Sequence, residues 1–153
     1  MTADDADRVA AWRYEEPWSI YDLDSPGCLL ENSAAYFSVF LGCWLVGFLC
    51  IGAEARVPGL DGEQGVIDIG LGMNPSMVGR GDGAKFGAVV TGFVDERFAG
   101  LAMRAVVQSW NARSLALARR MGFVAVGGLS VVQDDRQVNY VVLRRARWRD
   151  RSI

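Results

Sequence analysis

At 153 residues, with 51% apolar side chains and a net charge of −2, the chain has the length of one ordinary domain. That apolar content supports a core without disulfides or metal. There is no histidine, which removes Ser-His-Asp and Cys-His catalysis, His-ligated zinc and the commonest general base near neutral pH. The three cysteines, Cys28, Cys43 and Cys50, are odd in number and lack a C-x-x-C spacing. They read as reduced, buried apolar residues of a single cytoplasmic domain spanning 1–153.

Charge is distributed unevenly. Residues 1–31 carry eight acids against Arg8 and Arg13, whereas the remainder carries ten acids against fourteen bases, of which only Lys85 is a lysine. An acidic front and a mildly basic body suit a protein that meets a cation at one end and an anion at the other. Scattered solvated charge is the plain alternative.

In chain order, Thr2-Ala3-Asp4-Asp5 fits a capping box with Asp in the place of Glu, and the spacing predicts helix from Ala6 to Trp12. Trp12, Tyr14, Glu15, Glu16, Pro17, Trp18 and Tyr21 form an aromatic, acidic segment, and Asp24-Ser25-Pro26-Gly27 is a turn. From Asn32 to Ala53 there are 22 residues without a charge, long enough to read as a membrane span. No basic leader precedes this run. Its halves, Tyr36–Phe40 and Trp44–Ile51, are aromatic and β-branched, and Gly42, Gly47 and Gly52 would weaken a helix, so a buried hairpin is the preferred reading.

Val57 to Gly62 is a loop. Val66 to Met73 is a strand in which Gly70 and Gly72 suggest a bulge or the close approach of a ligand. Asn74-Pro75 ends it. A helix follows from Asp82 to Phe98, with apolar residues at Phe86, Val89, Val90, Phe93 and Val94. Ala102 to Gln108 is a strand, Ala112 to Met121 a helix closed by Gly122, and Val124–Val132 and Val138–Arg144 two strands about Asp134-Asp135. Residues 144–153, with Arg144, Arg145, Arg147, Arg149 and Arg151, read as a solvated Arg-rich tail.

The segment carrying most chemical information is Val78-Gly79-Arg80-Gly81-Asp82-Gly83-Ala84-Lys85. Three alternating glycines feeding a helix present free backbone N–H groups to an anion, with Arg80 and Lys85 adding positive charge. A tight turn that merely needs flexible residues is the alternative. Gly79, Gly81 and Ala84 also satisfy a dinucleotide fingerprint, but a Pro-containing loop separates them from their strand and the chain is short for that fold. A Walker A loop is excluded because G-K-[ST] is absent.

Two motifs in this order resemble the GCN5-related N-acetyltransferases (GNAT). Gly79, Gly81 and Gly83 match the glycines of the family's [QR]-x-x-G-x-[GA] loop, often written R-G-x-G-x-G, and Asn111, Arg113, Leu117, Gly122 and Phe123 match its N-x-R-A-x-x-L-Y-x-x-x-G-F helix. The resemblance covers essentially the whole chain. It implies an α/β (α+β) fold with a mixed, mostly antiparallel sheet flanked by helices, and acetyl-CoA as co-substrate without a metal.

By the same resemblance, Val78, Gly79, Arg80, Gly81, Asp82, Gly83 and Ala84 would hold the CoA pyrophosphate. Ile69, Gly70 and Leu71 would pair with the pantetheine arm, and Asn111 would hydrogen-bond it. Acetyl would pass directly to a primary amine of a small molecule or a protein N-terminus, which needs positioning and an oxyanion donor and no histidine. Glu15, Glu16, Trp18 and Tyr21 stand where the family builds its acceptor side. Asp68 and Glu54 are candidate bases, although Asp68 also reads as an ordinary strand residue with a cross-strand partner.

Three positions depart from the family pattern. Val78 replaces the usual Arg or Gln, and Asp82 a usually apolar residue. Ala118 stands at the tyrosine credited with protonating the leaving thiolate, for which Ser114 or water would substitute. The sequence begins at the helix cap, so the family's first strand is expected either to be missing or to lie before a start that is not the natural one. An exposed sheet edge would then favour homodimers. The competing function is a non-catalytic acyl-CoA-binding relative that acts in sensing or dimerisation. Neither nucleic acid nor membrane is expected as a partner.

Overall fold

The computed structural model describes residues 1–147. The described chain forms two compact units, one of Met1–Cys50 with Leu71–Asp82, the other of Ile51–Gly70 with the chain from Gly83 onward.

The first unit opens with helix α1 (Ala3–Ala10), whose capping box is formed as the sequence predicts. Thr2 Oγ1 accepts from the Asp5 N–H at 3.1 Å, and Asp5 Oδ2 accepts from the Thr2 N–H at 3.3 Å. The cap starts the helix at Ala3, earlier than the apolar spacing suggests. Asp5 Oδ2 also accepts from Ser38 Oγ at 2.8 Å, tying α1 to strand β1 (Tyr36–Leu41). Ala6 and Val9 of α1 are buried, as is Leu29 of the short helix α2 (Gly27–Leu30).

Strand β1 pairs antiparallel with β2 (Trp44–Ile51) through a two-residue turn, Gly42-Cys43. Gly42 has φ +60°, the conformation that a type II′ hairpin turn requires of its first residue. In β2, Leu45, Val46, Leu49 and Cys50 are all buried, so adjacent residues on both faces are covered. That double burial explains the long uncharged run, which is a hairpin with an inner strand. No helix among the described residues is long and apolar enough to cross a membrane.

Strand β3 (Val66–Met73) runs through both units. Its second half carries Gly72, where a Cβ would lie 2.1 Å from the Phe48 ring. That glycine is required by packing: Phe48 fills the space, itself stacked at 6.3 Å on Trp12 and flanked at 6.2 Å by Tyr36. Register shifts occur at Val39/Phe40 of β1 and at Ala125/Gly127 in the last hairpin.

In the second unit, β3 pairs in parallel with β4 (Ala102–Gln108) at three positions, ending with Asp68 opposite Arg104. Strand β4 continues antiparallel to β6 (Arg136–Arg145), and β6 pairs with β5 (Val124–Gln133). Asp134 and Asp135 both have positive φ, 48° and 59°, which matches the twist of a tight type I′ hairpin. The full strand order is β1-β2-β3-β4-β6-β5. This is the mixed, mostly antiparallel sheet expected from the sequence, and helix α1 is the first element of the described chain.

Helices α3 (Gly83–Arg97) and α4 (Ala112–Arg120) pack closely because glycines face the contact. A Cβ on Gly87 would fall 2.5 Å from Met121 Cγ, and one on Gly83 would sit 3.3 Å from Leu117 Cδ1. Phe86, Val90 and Val94 of α3 join Met103, Leu143 and Phe123 in the core. Arg145 donates to Asp95 at 2.9 Å, fastening β6 to α3.

The structure departs from two sequence expectations. Arg144 and Arg145 belong to β6 and are paired with Glu63 and Asp95; they are not tail residues. Arg147 follows the strand, while Arg149 and Arg151 lie outside the described residues. Of the cysteines, none of which is in a disulfide, only Cys50 is buried; Cys28 and Cys43 are exposed because each sits at a turn or helix end.

Candidate active site

The glycine loop is prepared by Asn74. Its N–H donates to Val46 O at 2.8 Å and its Nδ2 to Leu45 O at 3.1 Å, both in β2. Its Oδ1 accepts from Ser76 N–H at 3.0 Å and Ser76 Oγ at 2.8 Å. One side chain thus ends β3 and starts the 3₁₀ turn Pro75–Met77. Val78 then leaves in an extended conformation.

Gly79 and Gly81 follow with φ of +80° and +83°. A Cβ at either position would meet nothing within 4 Å, so open space lies over the loop. Helix α3 begins at Gly83, two residues after the second of these left-handed glycines. The first turn of α3 carries no acid and includes Lys85. Positive φ, open space and a fifteen-residue helix together suit a bound anion. Asp82 is the one acid of the loop.

The edge of β3 holds the next residues that the sequence singles out. In an extended strand the N–H and C=O of one residue point to the same edge, and successive residues alternate. Gly65 O accepts from Ala102 N–H of β4 at 3.0 Å, so odd-numbered residues point to the edge that β4 occupies. The register with β4 stops at Asp68, which leaves Ile69 and Leu71 on that edge beyond it. Gly70 has the opposite parity.

Asp68 is held elsewhere. Its side chain is 3% exposed, with Oδ1 accepting from Arg104 Nε at 2.5 Å and Oδ2 from Arg56 Nε at 2.8 Å and Arg104 Nη2 at 3.1 Å. Arg104 reaches on to Asp61 O at 2.6 Å and to Glu63, which Arg144 also meets. The hydrogen bond to Asp68 leads the effects that hold the Arg104 guanidinium above its ordinary pKa, against the opposing effect of burial. Both carboxylate oxygens are therefore engaged by cations, an arrangement that anchors β3 to β4. Glu54 is exposed in the 3₁₀ turn Gly52–Ala55 that follows β2.

Asn111 is buried at 3% and is the N-cap of α4, its Oδ1 accepting from Ser114 N–H at 3.1 Å. Ser114 lies one turn before Ala118, which is buried and offers no hydroxyl. In the first unit, Glu16 Oε1 accepts from Ser19 Oγ at 2.6 Å, Glu15 O accepts from Trp18 N–H at 2.8 Å, and Tyr21 ends the 3₁₀ turn Trp18–Tyr21. Tyr14 is the residue that sequence reasoning passes over. Its hydroxyl donates to Met73 O at 2.6 Å, a contact across 59 residues that no local pattern announces.

No family model matches this chain, and no curated protein matches it. Solved structures do. AAC(6')-Ib in complex with ribostamycin and coenzyme A aligns with a TM-score of 0.72 at 18% identity, over 99% of this chain and 94% of that one. A chimeric spermidine N-acetyltransferase SpeG from Vibrio cholerae and hSSAT aligns at 0.68 and 14% identity, over 95% and 92%. A GNAT-family acetyltransferase from Bacillus anthracis aligns at 0.64 and 17% identity, over 79% and 72%. The fold of this chain is the GNAT fold.

Proposed function

We propose that this protein is an acetyl-CoA-dependent N-acetyltransferase that moves the acetyl group directly to a primary amine of a small molecule or a protein N-terminus. The observation that carries this reading is the run from β3 through the Asn74 knot into left-handed, open-faced glycines and the start of α3. Structures of the same fold hold CoA or acetyl-CoA, which supports the co-substrate, and those named for aminoglycosides and spermidine support an amine acceptor.

In this reading the amides of Gly79 to Ala84, with Arg80 and Lys85, hold the pyrophosphate. Ile69 and Leu71 pair with the pantetheine arm, and Asn111 adds a side-chain contact while capping α4. The amine nitrogen attacks the thioester carbonyl, the C–S bond breaks, and the proton lost by nitrogen ends on the CoA sulfur. Glu54 or water takes the proton, since Asp68 is bound by two arginines. Ser114 or water delivers it to the thiolate. Glu15, Glu16, Trp18 and Tyr21 form the acceptor side, where carboxylates and aromatic faces attract an ammonium group.

A second reading, a non-catalytic acyl-CoA binder, is favoured by one observation: α4 presents buried Ala118 where a proton donor would stand. Calorimetry with CoA followed by thiol release from acetyl-CoA across an amine panel separates the two. Gly81→Glu is expected to abolish CoA binding by adding bulk and negative charge over the loop. Gly81→Asn is the control, since asparagine tolerates positive φ and adds no charge. Equal affinity of Gly81→Glu and unaltered protein would refute the cradle.

A further inference from the structure

We infer that Tyr14 is a positioning residue for the thioester arm, its hydroxyl capping the Met73 carbonyl and so fixing the register in which an extended amide chain pairs with β3. This rests on the acyltransferase reading above.

Two independent bonds define which way the backbone of β3 faces. At its start, Gly65 C=O points to the edge where β4 pairs. At its end, Asn74 N–H points to β2, where it meets Val46 O at 2.8 Å. Alternation then puts the N–H and C=O of Met73 on the edge opposite β2, the same edge as Leu71. Along this edge an arm containing secondary amides finds acceptors two residues apart, at Leu71 O and Met73 O. Tyr14 Oη donates to the second at 2.6 Å, which takes that acceptor out of competition.

The tyrosine is held firmly enough to do this. Its own N–H donates to Asp22 Oδ1 at 2.9 Å, and two residues earlier Trp12 stacks on Phe48, the ring that fills the space beside Gly72. Burial, then the Asp22 charge, raises the phenol well above its ordinary value, so the hydroxyl stays protonated and remains a donor. Without the cap, an arm could slip by one acceptor, which is two residues or about 6.6 Å along a strand. A misplacement of even an ångström can cost about a hundredfold in rate, so a slipped arm binds but does not react.

The test is Tyr14→Phe, which keeps the ring and removes only the hydroxyl, with Tyr14→Leu as a packing control. Tyr14→Phe is expected to bind CoA within about threefold of the unaltered protein while kcat falls at least tenfold at unchanged melting temperature. Hydrogen exchange gives a readout free of turnover. CoA should protect the Leu71 amide in the unaltered protein, and that protection should weaken or spread to Met73 in Tyr14→Phe. Unchanged kcat and an unchanged exchange pattern would overturn the positioning role while leaving the acyltransferase reading intact. A lower melting temperature with unchanged kcat would make Tyr14 merely structural. Failure of the unaltered protein to bind CoA would overturn the parent reading and this one with it.

Discussion

Asp68 and Gly72 lie in one strand, and both owe their identity to neighbours distant in sequence. Asp68 stands between Arg56 and Arg104, and the Arg104 side chain is only 6% exposed. Removing the carboxylate leaves a buried cation without its counter-charge, so Asp68→Asn is expected to cost about 3–5 kcal/mol in urea unfolding. The double variant Asp68→Leu/Arg104→Met should cost less than Asp68→Asn alone, because the desolvated cation is gone as well. At Gly72, a methyl group would fall inside the Phe48 ring, and Gly72→Ala should lose about 1–3 kcal/mol. Phe48→Leu in the same chain should recover part of that loss. From the sequence, Asp68 is a candidate base but reads first as an ordinary strand residue facing solvent or a cross-strand partner. The choice needed Arg104, which is 36 residues away.

Elements were the most legible level. The Thr2 cap, the Gly42 turn, the Asp134-Asp135 hairpin and the glycine that ends α4 all follow local stereochemistry, and each stands where its residues predict. Thr2→Ala is therefore expected to cost about 1 kcal/mol. Asp5 adds a pH dependence. Burial pushes its carboxyl up, but hydrogen bonds from Ser38 and Thr2, helped by Arg8, outweigh burial and lower it below the ordinary value of 3.8. Its contribution is fully present above that value and is lost as pH falls through the lower, folded-state pKa. Acid unfolding followed by circular dichroism should show this loss in the unaltered protein, and Asp5→Asn should flatten it. The boundary shift of α1 to Ala3 has the same cause, since the cap, not the apolar spacing, sets where a helix begins.

At the scale of the whole molecule, the uncharged run is the feature whose meaning depends most on tertiary structure. By composition alone it serves for a membrane span or a hairpin. Its glycines favour the hairpin, and double-sided burial of β2 accounts for the missing charge. The tip stays open: Phe40, Leu41 and Trp44 are 45%, 64% and 64% exposed, beside exposed Cys43. Leu41→Lys and Trp44→Lys should lower any concentration-dependent light scattering, since contiguous exposed apolar residues promote association. If scattering is unaffected by both, the tip is not where copies meet.

The sequence by itself determined the order of the elements, their caps and turns, and the glycine loop that opens α3. These depend on φ preferences and on hydrogen bonds between residues a few positions apart. Only the tertiary structure decided that the uncharged run is a hairpin whose inner strand is covered on both faces. It also decided that Asp68 is an anchor and that Tyr14 closes the end of β3. Such assignments rest on contacts across tens of residues, where distance along the chain carries no information about distance in space.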